Sequence, residues 1–197
     1  DILVGTQMVT KGLDFDRVGL VGIMSADNLL SFPDFRANER AFQLIEQVAG
    51  RTGRRTSKGK VVIQAMKPRH SIIQLALNHD FTGMQAKELA VRQEYQYPPF
   101  VRLITITLKH RDQKLLQRAA GEFARSLHSK IGDRFLGPEF APISRLKNLY
   151  QMQIIVKVDK GSIGAKVRER IKKSHQEVLL TPDFNRVKVV FDVDPNS

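Results

Sequence analysis

The sequence predicts an α/β protein in two parts, a parallel sheet layered with helices followed by a small β-α-β-β-α-β domain. Three observations carry this. Short apolar runs without polar alternation open the chain, which is how strands covered on both faces read. The segment Tyr97-Pro98-Pro99-Phe100 forbids helix and breaks the pattern. Beyond it, strands alternate apolar and polar residues, as half-exposed strands do.

Taken in order, Ile2-Leu3-Val4-Gly5 and Val18-Gly19-Leu20-Val21-Gly22-Ile23-Met24 are expected as buried parallel strands. Ala37, Ala41, Phe42, Leu44, Ile45 and Val48 recur at three- and four-residue steps, which predicts a helix over 35–49 with Asp34 as N-cap and Gly50 at its end. Val61-Val62-Ile63 is a third strand. Two amphipathic helices are expected over 71–78 and 82–95. The second part begins with a strand over 101–109, then a helix over 113–131. A strand broken by Gly137, Pro138 and Pro142 follows, with an alternating strand over 150–158 that turns Met152, Ile154, Val156 and Val158 inward. A Lys/Arg-rich helix over 164–178 and a strand over 187–191 complete a split βαβ, or ferredoxin-like, order.

The 197 residues carry 32 Lys and Arg against 20 Asp and Glu, a formal net charge of +12 that favours a polyanionic partner, nucleic acid first. The excess is uneven: residues 1–99 hold 13 basic and 10 acidic residues, residues 100–197 hold 19 and 10. The absence of cysteine excludes disulfides and thiolate metal sites in this stretch. No apolar run approaches the roughly 18 residues of a membrane helix, so no membrane partner is expected. The five histidines are scattered and are assigned no chemistry. The first residue is Asp1, and the chain is expected to be a piece of a longer protein.

The string Gln47-Val48-Ala49-Gly50-Arg51-Thr52-Gly53-Arg54 places two arginines three apart at a helix end, between glycines that permit close backbone approach to a ligand. Such a fork suits a triphosphate, although a solvated basic turn has the same composition. Upstream, Thr6, Gln7, Met8, Val9, Thr10, Lys11, Gly12, Leu13 and Asp14 leave a strand with hydroxyls, an amide and a carboxylate, a set able to meet phosphate and ribose. In the basic half, Lys166, Arg170 and Lys173 share one helix face as a phosphate-tracking stripe, or as a merely solvated one. Arg145 and Lys147 precede Tyr150. Tyr150 and Phe140 are candidate stacking platforms, or core aromatics. The segment Tyr95-Gln96-Tyr97-Pro98-Pro99-Phe100 is expected to be a rigid hinge.

The pair of strings resembles motifs V and VI of superfamily 2 helicases, in which TxxxxxGxD precedes QxxGRxGR. Gly5-Thr6-Gln7-Met8, Lys11-Gly12, Asp34-Phe35-Arg36, Glu39-Arg40, Gln47 to Arg54, Tyr97-Pro98-Pro99 and Asp192-Val193-Asp194-Pro195 are similar, within that superfamily, to the primosomal replication-restart helicases. The resemblance implies that residues 1–70 end a second RecA-like lobe, that 71–100 are a helical linker, and that 101–197 are a basic DNA-binding domain.

It further implies Arg54 as an arginine finger, Arg51 as a second phosphate contact and Gln47 as the coupling residue. Gly12 and Asp14 would line the ATP cleft, while Thr6, Gln7 and Lys11 would touch DNA. ATP with Mg²⁺ is implied for the parent, as is zinc held by residues elsewhere, because a Walker A lysine, an acidic box and the zinc cysteines are missing from these residues. The fragment alone is therefore expected to bind neither cofactor and to lack ATPase activity.

Implied partners are forked and single-stranded DNA, primosome and replicative-helicase loading proteins, and the acidic tail of the single-strand DNA-binding protein, at a cytoplasmic, nucleoid-associated location in bacteria. Gln153 matches the amide of that tail's pocket, whereas Leu149 stands where the family has a basic residue, with Arg145 and Lys147 as the nearest substitutes. Two other readings stay open on the residues alone: a non-enzymatic nucleic-acid-binding adaptor, and another superfamily 2 helicase.

Overall fold

Helix α1 (Ala26–Leu30) follows strand β1 (Leu20–Ile23), and its Asp27 carboxylate reaches across to accept from the backbone N–H of Met66 at 2.7 Å and of Lys67 at 3.3 Å. Those N–H groups lie just past β2 (Lys60–Ile63), the parallel partner of β1 with Leu20 opposite Lys60 and Ile23 opposite Ile63. The computed structural model describes residues 2–5, 18–50 and 59–195. It forms two compact units, 1–91 and 92–197.

In the first unit, α2 (Ala37–Ala49) buries Ala37, Ala41, Phe42, Ile45 and Val48. Ala41, Phe42 and Ile45 share a core with Ile72 and Ala76 of α3 (Ser71–Leu77) and Met84 of α4 (Phe81–Glu94). Asp34 does not cap α2. The N-cap is Arg36, whose side chain makes no capping bond; Asp34 instead accepts from the Arg36 N–H at 2.9 Å and pairs with Arg40 at 2.9 Å, its side chain 4% exposed. The carboxylate thus organises the turn before the helix and the first turn itself, two residues earlier than a cap would.

Two strand expectations are corrected. Ile2, Leu3, Val4 and Gly5 are outside any strand, and Ile2 and Val4 are 94% and 83% exposed. β1 and β2 alternate exposed and half-buried residues, so Leu20 and Val62 face outward instead of lying under a second layer. A non-alternating apolar run becomes a doubly covered strand only where neighbours occupy both faces and both edges. Among the described residues the sheet has two strands.

The second unit is a four-stranded antiparallel sheet under two helices. Its elements are β3 (Arg102–His110), α5 (Gln113–Ile131), β4 (Phe135–Leu146), β5 (Leu149–Val158), α6 (Ser162–Leu179), a 3₁₀ turn (Pro182–Phe184) and β6 (Lys188–Val193). The spatial order is β4-β5-β3-β6. Each helix therefore joins two strands separated by a third, the interleaved βαβ arrangement expected from the element order. Asp112 caps α5 by accepting from the Leu115 N–H at 3.0 Å. Ile106, Leu108, Leu116, Phe123, Leu127, Ile154 and Val156 are fully buried between sheet and helices.

The Asp192-Val193-Asp194-Pro195 string has a structural role. Asp194 donates its N–H to the Leu103 carbonyl at 2.9 Å and accepts from Arg102 Nε at 2.9 Å, closing β6 onto β3.

Candidate nucleic-acid interface

The residues of the helicase-like strings divide sharply. Gln47 lies exposed in the last turn of α2, and the helix closes with the Gly50 N–H on the Glu46 carbonyl at 2.9 Å. Thr6, Gln7, Lys11, Gly12, Asp14, Arg51 and Arg54 lie outside the described residues. Of the other quoted strings, the buried Asp34 and its partner Arg40 set the start of the helix that carries Gln47. At the far end Glu46 holds His79 Nδ1 at 3.0 Å.

On the basic helix α6 the three expected cations are held differently. Lys173 is paired with Glu169 at 3.0 Å, and this contact holds the Glu169 carboxyl below its usual range. Arg170 Nη1 donates to the Lys130 carbonyl at 2.9 Å, at the end of α5. Lys166 is exposed and forms no ion pair among the described residues.

The β4–β5 hairpin turns at Lys147 and Asn148, whose φ values of 49° and 64° are the two positive angles that a tight two-residue hairpin requires. Arg145 donates to Asn148 Oδ1 at 2.7 Å and lies 5.0 Å from the Tyr150 ring centroid, directly across the ladder. Tyr150 also packs against the main core. Its ring is thus held by a cation on one side and the core on the other, while Lys147 stands exposed at the tip.

Gln153 belongs to the opposite face of the sheet, between Thr107 and Glu139. Leu149 sits beside the turn, opposite Leu146.

Sequence reasoning passed over several cations on which the structure places weight. Lys109 and Lys188 stand directly opposite each other on the helix-free face, beside Gln151. Lys157, on the same face, donates to the Tyr95 carbonyl at 2.6 Å and lies 4.5 Å from the Tyr97 ring centroid; burial holds its ammonium below the usual lysine range. Arg134 pairs with Asp159 and lies near Lys166 and Arg170. The alternation of β3 and β5 could have placed Lys109 and Lys157 on one face; nothing local announces Arg134. Among the described residues no group of three or more His, Asp or Glu side chains is gathered, and no helix is long and apolar enough to cross a membrane.

The chain is 39% identical over 193 residues to the replication restart protein PriA of Bacillus subtilis, an alignment covering 94% of this chain and 24% of that protein. It is 39% identical over 201 residues to the protein of the same name from Synechocystis, covering 100% and 23%. To that of Thermotoga maritima it is 36% identical over 159 residues, covering 81% and 21%. The chain thus spans about a quarter of the length of these relatives. The family model described as the primosomal protein N C-terminal domain matches residues 93–196, the whole interleaved sheet with both of its helices and the segment leading into it. On that match the chain belongs to the primosomal protein N C-terminal domain family.

Proposed function

We propose that the chain is the C-terminal part of an ATP-driven 3′→5′ DNA helicase that recognises stalled or abandoned forks and restarts replication. The observation that carries this is the end-to-end likeness to replication restart proteins, which extends through both units and includes the helicase-like strings. The division of labour follows the sequence: 1–70 as the end of the motor lobe, 71–100 as a helical connection, and 101–197 as the DNA-binding domain. Arg54 serves as the arginine finger, Arg51 as a second phosphate contact, and Gln47 relays the state of the ATP site. Gly12 and Asp14 line the cleft; Thr6, Gln7 and Lys11 contact the strand. Fixed cations at the transferred phosphoryl group act in the transition state, where charge moves onto its oxygens.

On this reading the Mg²⁺ and zinc sites are supplied by other parts of the parent, Arg51 and Arg54 reach the nucleotide from this chain, and the chain alone binds DNA without hydrolysing ATP. Fork and single-stranded DNA, loading proteins of the primosome and the single-strand DNA-binding protein tail are the partners this reading supplies, with Gln153 in the tail's pocket. The cytoplasm of a bacterium, on the nucleoid, is the matching location.

The test is Arg54→Ala in the full-length parent. ATP turnover falls about a thousandfold, the scale of a lost arginine finger, while forked-DNA affinity stays unchanged. Normal turnover overturns the assignment, and a chain that binds no DNA at all overturns the division of labour.

A further inference from the structure

Where the end of α5 meets α6, the fold leaves a cavity of about 200 Å³ lined by Ile131, Arg134, Lys166, Val167 and Arg170. Three of these five residues are cations and none is acidic. The other two form an apolar floor, Val167 being 2% exposed and Ile131 6%.

The cations differ in how they are held. Arg170 is tethered by one N–H to the Lys130 carbonyl, and Arg134 by its pair with Asp159. A guanidinium carries five N–H donors, so each tether orients the group without exhausting it. The Lys166 ammonium has no ion pair among the described residues. Asp159 offsets one of the three charges and Glu169, shared between Lys173 and the field of Arg170, offsets part of another, leaving an excess matched to a singly charged oxyanion. Planar forks suit the oxygens of a phosphoryl group, and the apolar floor strengthens the charges above it.

We propose that this cavity is a phosphate socket of the nucleic-acid-binding unit, in which Arg134 and Arg170 grip the oxygens of one phosphoryl group and Lys166 supplies the unopposed charge. The proposal rests on the nucleic-acid reading above and deepens it. It replaces the helical stripe with a site built from two elements: Lys173, committed to Glu169, drops out, and Arg134, from the turn after α5, enters. The phosphoryl group comes from the strand backbone or from a phosphorylated strand end, sources that share their oxygens and differ in charge.

The test uses the full 197-residue chain and two fluorescein-labelled oligothymidylates, one with a 5′-hydroxyl and one with a 5′-phosphate, titrated between about 50 and 200 mM salt. Lys166→Ala lowers the slope of log affinity against log salt by about 0.7, the value for one phosphate of a single strand. It weakens low-salt binding about fivefold. Lys114→Ala removes equal charge at the other end of α5, roughly 25 Å along the helix at 1.5 Å per residue, and leaves the slope unchanged.

Loss on both oligonucleotides supports a backbone phosphate in the socket; loss on the phosphorylated one alone supports an end phosphate. An unchanged slope in Lys166→Ala, or an equal change in Lys114→Ala, overturns the proposal. If the unaltered chain binds neither oligonucleotide, the nucleic-acid reading fails separately. The socket is then judged by inorganic phosphate followed through NMR shifts at residues 131–134 and 166–170. Shifts present in the native chain and lost in Lys166→Ala support it, and their absence overturns it.

Discussion

The two units solve the same problem with different means. The second closes a core under its own four strands and two helices, with Ile106, Leu108, Phe123 and Ile154 all fully buried. The first rests four helices and a two-stranded parallel ladder, among the described residues, on a smaller cluster around Phe42, Ile45 and Ile72, and leaves Leu20 and Val62 facing outward. The interleaved antiparallel sheet finds a partner for each of its four strands, and the helices that cover it, within the one unit, whereas β1 and β2 pair only with each other among the described residues. A parallel strand takes its neighbours across a crossover, and its cover from helices that pack on both faces. Self-sufficiency therefore follows topology more than apolar content.

The largest expected effect sets the two cores against each other. Phe123→Ala, which empties a fully enclosed site between α5 and the sheet, costs about 4 kcal/mol, whereas Ile72→Ala, in the smaller core, costs about 2 kcal/mol because its surroundings can close in. Hydrogen exchange at the Ile106 and Ile73 amides under a urea series reads each unit separately. Equal losses would break the contrast.

Next comes Gly137→Ala in β4. Gly137 has φ +95°, and a Cβ there would meet the Gln153 carbonyl oxygen at 2.6 Å and the Glu139 N–H nitrogen at 3.1 Å. The substitution costs about 2 kcal/mol through left-handed strain and the displaced β5 ladder, detected as a lower urea midpoint of the second unit with the first unchanged.

The smallest effect is shared by both units. Asp27 is held below the usual carboxylate range mainly by the Met66 N–H, and Asp112 mainly by the Leu115 N–H. A carboxylate with a lowered folded value contributes its full stability above the ordinary value of 3.8 and loses it as pH falls through the lowered one. Thermal midpoints should therefore drop below about pH 4. Asp27→Asn should flatten that drop for the first unit, and Asp112→Asn for the second. If neither variant flattens its drop, the backbone bonds at these carboxylates carry no weight.

The same contrast explains what could be read from the sequence. α5 was legible to the residue because each signal is local: Asp112 at its start, Gly132 at its end and apolar steps of three and four between. β5 was legible from alternation, and the β-α-β-β-α-β order from the succession of such signals. The strand expected at Ile2-Leu3-Val4-Gly5 was not, because an apolar run states that cover is wanted without supplying it. Asp34 misled as a cap because its partner Arg40 lies a turn further on. The interface fared in the same way. Basic residues on α6 were visible at helical spacing, but spacing alone did not reveal that Lys173 would turn to Glu169. Nor did it show that Arg134 would arrive from the end of another helix.

Lys109 and Lys188, opposed across the helix-free face, bring one more consequence. Like charges set directly opposite repel, and dissolved ions relieve that repulsion by screening. The same ions compete with the protein for a polyanion. On the function proposed above, electrolyte pulls on this sheet in two directions, firming the β3–β6 ladder while loosening any polyanion held against it, so binding would be tightest under the conditions in which the sheet's own edge is least relaxed.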